Sequence, residues 1–280
     1  MQEWRPTLSD VHTTPLKTLK FYVAGSFLRS ESGATFPVAG YEIPNCSRKD
    51  ARDAIRAGAA AAQGWASRDP YNRGQILYRV AEMLTDRREE FVALLTDLGV
   101  DHDAADQDVS DAIAAWVHYA GWTDKLGQVL GCTNDVPSVM VSYTAPTPLG
   151  LVVAVCGNAP GLAGLSVTAA SALAAGNAVT VTGSSAWSVP ALVFAEVAAV
   201  SDLPSGVFQV MTSTRPELAL TLASASQVQG LDLSLVNDSS ALAAASVETF
   251  TRVLRRVPGD PLGRLRWQVE RRTFWHPQSR

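Results

Sequence analysis

Few side chains in this sequence combine a reactive type with a useful spacing, and those few bound its chemistry. The three cysteines, Cys46, Cys132 and Cys156, are widely separated and odd in number. No Cys-x-x-Cys pair and no Cys/His ligand spacing occurs, so neither a disulfide framework nor a zinc site is indicated. Cys132 ends the run Gly127-Gln128-Val129-Leu130-Gly131-Cys132. A thiol becomes a nucleophile when its pKa is depressed and a base stands beside it, and no base neighbours Cys132 in the sequence. Cys156 closes an apolar run and reads most simply as a small buried hydrophobe. His118 lies among apolar and aromatic residues at helical spacing, where a satisfied core or interface histidine is expected rather than a catalytic one. Asn158 follows the same apolar run as Cys156 and reads as a turn residue that satisfies backbone groups after a strand. These types and spacings assign no catalytic, cofactor-binding or metal-ligating residue.

The elements around these residues form a recognisable order. From Gly150 onward, apolar strands at 150–156, 178–182, 207–211 and 230–234 alternate with helices at about 161–175, 188–199, 215–224 and 239–255. That alternation predicts an α/β fold with a doubly wound, Rossmann-like parallel sheet over residues 150–256. Residues 1–18 read as an irregular arm. Residues 19–138 read as a hairpin followed by helices: a strand at 21–27 with 33–38 as its partner, a helix capped at 47–50, another starting at Ser67 or Asp69, one ending at Gly99, and a long helix from about 109 to 130. Residues 139–149 alternate at period two and carry Pro146 and Pro148, which confine them to an edge or ribbon. Residues 257–280 form a tail ending in a short aromatic strand.

Composition excludes several classes. Hydrophobic residues make up 47% and charged residues 18%, as in a globular protein. The net charge of −4 argues against a nucleic-acid partner, because phosphate-binding faces carry a basic excess. The one basic cluster, Arg252, Arg255, Arg256, Arg264, Arg266, Arg271, Arg272 and Arg280, reads as a solvated face with a rim of ion pairs. The apolar runs at 162–175 and 191–200 are interrupted by polar residues, and the first fourteen residues have no signal-like apolar core, so a cytosolic, non-membrane protein is expected.

Four stretches recur in one order over about residues 20–255. They are Ala62-Gln63-Gly64-Trp65 with Pro70-Tyr71-Asn72-Arg73-Gly74-Gln75-Ile76-Leu77; Ala115-Trp116-Val117-His118-Tyr119-Ala120-Gly121-Trp122-Thr123-Asp124-Lys125; Cys156-Gly157-Asn158-Ala159-Pro160; and Ala175-Gly176-Asn177. Each is weak alone. Together they resemble the aldehyde dehydrogenase superfamily, whose Tyr-Ala-Gly-Trp helix, Pro-Trp-Asn-Phe-Pro turn and Ala-Gly-Asn turn stand at these places. The resemblance implies a partial form of that fold, with an oligomerisation ribbon at 139–149. It also gives Asn158 a second reading, as the amide that donates to an oxyanion.

The departures from that pattern shape the expected function. Where the family places a Lys and a Glu on the adenosine ribose, this chain has Thr182 and Ser185, and a short hydroxyl replaces neither. The Phe-Thr-Gly-Ser phosphate turn is matched by Leu233-Ser234-Leu235-Val236, with a branched side chain where glycine lets a backbone approach pyrophosphate. No Gly-x-Gly-x-x-Gly occurs. The Glu-Leu-Gly-Gly-Lys base motif is not found, Asp232-Leu233-Ser234 being a superficial echo, and the chain reaches Arg280 without the family's thiol in a Gly-Gln-x-Cys setting. His276 in Trp275-His276-Pro277 resembles the end of thiol-less companion halves in one branch. The expectation is a non-catalytic subunit with a degenerate NAD site and no cofactor, which binds and stabilises or regulates a catalytic aldehyde dehydrogenase, or itself. Two alternatives stand beside it: a family oxidoreductase retaining weak dinucleotide binding, and a structural homo-oligomer. Residues 140–144 and 272–275, with Phe274 and Trp275 as anchors, are expected to pair with another subunit, or else to fold back on their own chain.

Overall fold

The computed structural model describes residues 17–137, 139–256 and 260–277. The expected arm at 1–18 lies outside the described residues except for Lys17–Thr18, which form the short strand β1. Two tight hairpins follow, β2 (Phe21–Val23) with β3 (Ser26–Leu28) and β4 (Thr35–Val38) with β5 (Tyr41–Pro44). Each turns through an Ala-Gly pair at positive φ, Ala24-Gly25 and Ala39-Gly40, and that twist suits a two-residue hairpin. The expected pairing of 21–27 with 33–38 is thus corrected. Alanine seldom occupies such a turn, so the sequence concealed it.

Four helices come next: α1 (Arg48–Ala66), α2 (Pro70–Asp86), α3 (Arg88–Asp97) and α4 (His102–Ala120). Ser47 and Asp50 form a reciprocal capping box at α1, Asp69 caps α2 with Pro70 in its first turn, and Asp101 caps α4. The helix expected over 109–130 is instead two. It starts earlier, on the Asp101 cap, and stops at Gly121; α5 (Leu126–Leu130) is separate. Thr123 Oγ1 and Lys125 Nζ donate to the carbonyls of Ala120 and Gly121, taking acceptors that a continuing helix would use. Cys132 then opens strand β6 (Cys132–Asn134) rather than lying in a helix.

The rest of the chain runs β7 (Met140–Pro148), β8 (Leu151–Val155), α6 (Ala163–Ala174), β9 (Ala178–Gly183), a 3-10 turn at Ser185–Trp187, α7 (Ser188–Ala199), β10 (Phe208–Thr212), α8 (Pro216–Ala223), β11 (Gly230–Asp232), α9 (Ser240–Ala245), β12 (Arg252–Leu254), α10 (Pro261–Trp267) and β13 (Val269–Pro277). A seven-stranded sheet has the order β12-β11-β8-β9-β10-β2-β3, parallel from β12 to β10. Helices α1 and α8 pack together against this sheet, while α6 and α7 also pack on it and are backed by α2 and α4. The expected helix 239–255 ends at Ala245, and Arg252–Leu254 is a parallel edge strand instead. Hydroxyls of Ser246, Thr249 and Thr251 bond to the carbonyls of Ala243, Ser246 and Val228, and Phe250 turns to φ 54°, so the helix cannot propagate.

The ribbon and the tail pair with each other. β13 runs antiparallel to β7 from Val269↔Pro148 to Pro277↔Met140, and β6 covers only residues 142–144 on the other side. Pro146 and Pro148 therefore sit where β7 has one neighbour, as proline requires. No helix among the described residues is long and apolar enough to cross a membrane.

Candidate functional site

Strand order locates the site. The chain leaves β8 toward β9 and β10, then returns to lay β11 and β12 on the other side of β8. The loops after β8 and β11 therefore diverge, and the crevice outside these strand ends is where a doubly wound sheet takes its ligand. A cleft of about 760 Å³ lies there. Its walls are Cys156–Ala159 after β8, Gly183, Ser184 and Trp187 after β9, Ser213–Pro216 after β10, and Leu235–Asp238 after β11.

The chain's own groups narrow this crevice. The N-terminus of α6 faces it, and an open helix N-terminus presents free amides to an anion. Here the carboxylate of Asp108, on α4, accepts from the backbone N–H of Leu162 at 2.6 Å and of Ala163 at 3.3 Å. Burial pushes the Asp108 carboxyl above the usual range, opposed by those two donors. Leu235 spans the gap beside it. A Cβ built on Gly164 would lie 3.2 Å from Leu235 Cδ1, and one on Gly157 would lie 3.1 Å from the Leu235 carbonyl oxygen. On the far wall Trp187 lies so close over Gly183 that a Cβ there would meet its ring at 2.5 Å.

The polar residues singled out from the sequence distribute unevenly. Asn158 lines the crevice, where its Oδ1 accepts from Ser184 Oγ at 2.8 Å and its carbonyl accepts from Trp187 N–H at 3.3 Å. It thus holds two loops together, its side chain meeting a hydroxyl rather than the backbone groups expected of a turn residue. Thr182 is buried in the wall, its carbonyl accepting from Cys156 N–H at 2.7 Å, whereas Ser185 is exposed and outside the lining. Ser234 folds onto Asp232, donating from both N–H (2.9 Å) and Oγ (2.6 Å) to Oδ1. Asp232 is no base: its other oxygen accepts from Arg264 at 2.6 Å in a pair that is almost fully buried.

The thiols and imidazoles are not brought together. Cys156 reaches the crevice, but burial pushes its thiol far up, so it remains protonated. Cys46 is pushed up to about 12 by the same cause. Cys132 is exposed on β6, 3.3 Å from Asn134 Oδ1, and does not line the crevice. His118 accepts from Trp122 Nε1 at 3.0 Å, and His276 lies exposed on β13. Among the described residues no group of three or more His, Cys, Asp or Glu is arranged for a metal.

The family-like motifs fold the site rather than act in it. Trp65 Nε1 donates to Leu173 O at 2.9 Å, and buried Arg73 donates to the carbonyls of Ala66 and Arg68. Gly176 sits at φ 91°, the left-handed turn that glycine adopts without strain, and places Asn177 in the core. Asn177 accepts from Gly150 N–H at 3.0 Å and donates to Gln268 O at 2.9 Å, clasping the tail to the start of β8. Asp108, Trp187, Arg215 and Arg264 were not marked as site residues by sequence reasoning. Arg264 stood within the basic cluster. Asp108 gave no local signal, because its partners lie more than fifty positions away.

Leu235 and the Asp108 carboxylate thus stand where a free helix end and a small residue would receive an anion. The comparisons with known proteins nevertheless place the chain clearly. Residues 38–235 match the pattern of the aldehyde dehydrogenase family. The chain is 33% identical over 236 residues to a hydroxyisobutyraldehyde dehydrogenase of Mycolicibacterium austroafricanum, covering 81% of this chain and 46% of that protein. It is 30% identical over 209 residues to the cytosolic 10-formyltetrahydrofolate dehydrogenase of Xenopus tropicalis, covering 69% of this chain and 23% of that one. Among solved structures, HpcC from Thermus thermophilus superposes with a TM-score of 0.79 at 25% identity, over 85% of this chain and 48% of its own. The chain thus spans about half or less of these relatives' length. Pattern, identity and fold agree, and the chain belongs to the aldehyde dehydrogenase family.

Proposed function

We propose that this chain is a non-catalytic aldehyde-dehydrogenase-like subunit that binds a catalytic aldehyde dehydrogenase in the cytosol and stabilises or regulates it. The observation that carries the reading is the crevice at the strand switch, narrowed by Leu235 and with the first two amides of the α6 N-terminus already taken by Asp108. A site that must cradle pyrophosphate needs open amides and a small residue at this point. The thiol that reaches the crevice, Cys156, is buried and protonated, and acyl transfer through a thioester needs a thiolate and a base.

The partner half of the reading rests on the small sheet. On β7 the small polar Ser142 is buried, whereas Tyr143 is 43% exposed and stacks on Phe274, itself 42% exposed, with ring centroids 5.1 Å apart. Trp275 is 58% exposed. Exposed aromatic side chains on both faces of the paired strands, Tyr143 with Phe274 on one and Trp275 on the other, are suited to burial against another chain.

Sedimentation and activity assays test this reading together. Mixed with a catalytic aldehyde dehydrogenase of the same cell, the chain is expected to form a complex of defined mass and to alter that enzyme's stability or turnover. Alone, it should turn over no aldehyde above background with NAD or NADP. Turnover by the chain alone, or micromolar affinity for either dinucleotide by calorimetry, would favour the alternative of a family member that retains cofactor binding. That alternative draws on Arg215 and Thr214, which line the crevice.

A further inference from the structure

Five arginines of the basic cluster near the C-terminal end of the sequence fall into three environments. Arg264 turns into the core and pairs with Asp232. Arg272 pairs with Glu270 at 2.9 Å on the surface. Arg252, Arg266 and Arg271 instead line one cleft of about 490 Å³ with Val129, Leu130 and Val269, and no carboxylate is among its lining residues.

The backbone explains why these three charges converge without a counter-ion. Arg264 and Arg266 are two apart on α10, so they point to different sides of that helix. On β13, side chains alternate between faces. Arg271 shares the face of Val269, which lines the cleft, while Glu270 and Arg272 share the opposite face and neutralise each other there. Alternation thereby removes the adjacent carboxylate from Arg271. The third arginine comes from β12, the edge strand of the large sheet, and its guanidinium donates to Val269 O at 2.6 Å, which fixes its direction. Arg266 and Arg271 make no hydrogen bond or ion pair among the described residues. Three guanidinium groups around one concavity, in a chain of net charge −4, repel one another unless an anion joins them.

We propose that this cleft, formed where β12, α10, β13 and the end of α5 meet, is a binding site for a small oxyanion bearing two or more negative charges. Planar guanidinium forks match phosphate and carboxylate oxygens, often in bidentate pairs, so phosphate esters and polycarboxylates share the required chemistry. The cleft lies apart from the crevice at the strand switch, with no lining residue in common.

Thermal unfolding and calorimetry of the full chain with pyrophosphate, and separately with citrate, test the site against sodium chloride at matched ionic strength. Pyrophosphate or citrate is expected to raise the melting temperature beyond the chloride control, and the arm with the tighter dissociation constant identifies the preferred class. Arg266→Ala and Arg271→Ala each remove an exposed side chain and should fold as the parent does. Each should weaken the anion about tenfold or more, the effect of losing one charge-assisted contact. Arg56→Ala, which removes an exposed arginine on α1, should leave the affinity unchanged. No stabilisation beyond chloride by either anion, or equal affinity in the parent and both cleft variants, would overturn the proposal.

Discussion

The crevice at the strand switch and the arginine cleft by the tail treat polar groups in opposite ways. Around the crevice, most of the polar groups described above find partners inside the chain: Asp108 holds the first α6 amides, Ser184 donates to Asn158, and Ser234 folds onto Asp232. In the cleft, Arg266 and Arg271 have none among the described residues. The difference separates a position that retains the family's shape from one that retains capacity to bind. A retained outline with internally satisfied groups offers little to a ligand, because each contact would first have to break one already made. Unpaired charges in a concavity offer the reverse.

The largest expected effect comes from two residues on one short helix. Arg264→Ala leaves Asp232 buried without its partner and should destabilise the protein by about 3–5 kcal/mol, measured by urea denaturation. Arg266→Ala, two positions on, should change stability by less than about 0.5 kcal/mol. Equal effects would erase the distinction between the two regions.

The clasp at Asn177 ranks next. Asn177→Ala strands the buried Gln268 carbonyl, at a cost of roughly 1–3 kcal/mol when left unsatisfied, and frees the half-buried Gly150 N–H. Loss of stability of that order in chemical denaturation would show that the tail is part of the core of the large sheet.

Thiol chemistry probes whether the crevice wall is closed. Under native conditions iodoacetamide should modify Cys132 alone, because Cys46 and Cys156 are buried and their thiols are held protonated. Mass spectrometry should show one adduct in the native chain and three in denaturant. A native adduct on Cys156 would mean that the crevice wall around its buried thiol opens.

The smallest effect is a pH dependence. Burial raises the Asp108 carboxyl in the folded chain, so the folded state binds its proton more tightly than the unfolded state does. The stability this confers is complete below the unfolded value of about 3.9 and is lost as pH rises through the raised folded value. Asp108→Asn removes that step. The stability of the parent relative to Asp108→Asn should therefore fall as pH rises across this window in denaturation curves. A flat difference would mean that the carboxylate is ionised on the α6 amides at no cost.

The alternation of strands and helices after Gly150, and the capped helices before it, were legible because they rest on local periodicity and on caps within three residues of the helix start. Strand 178–182 and helix 188–199 stand where the pattern put them. The family motifs were legible as short runs of residue types in a fixed order, although only Arg73 bonds locally while Trp65 and Asn177 are held by distant partners. Tertiary structure alone decided the rest. It joined β7 to β13 across more than a hundred residues, ended the 239–255 helix by pairing Arg252–Leu254 with β11, and sent Arg264 inward but Arg266 outward. It also brought Asp108 onto the first amides of α6, a role of which its sequence neighbours say nothing. Periodicity states which face of an element is apolar. Which distant group meets that face depends on the packing of whole elements, and a carboxylate fifty residues away acquires its role only when the helices that carry both partners touch.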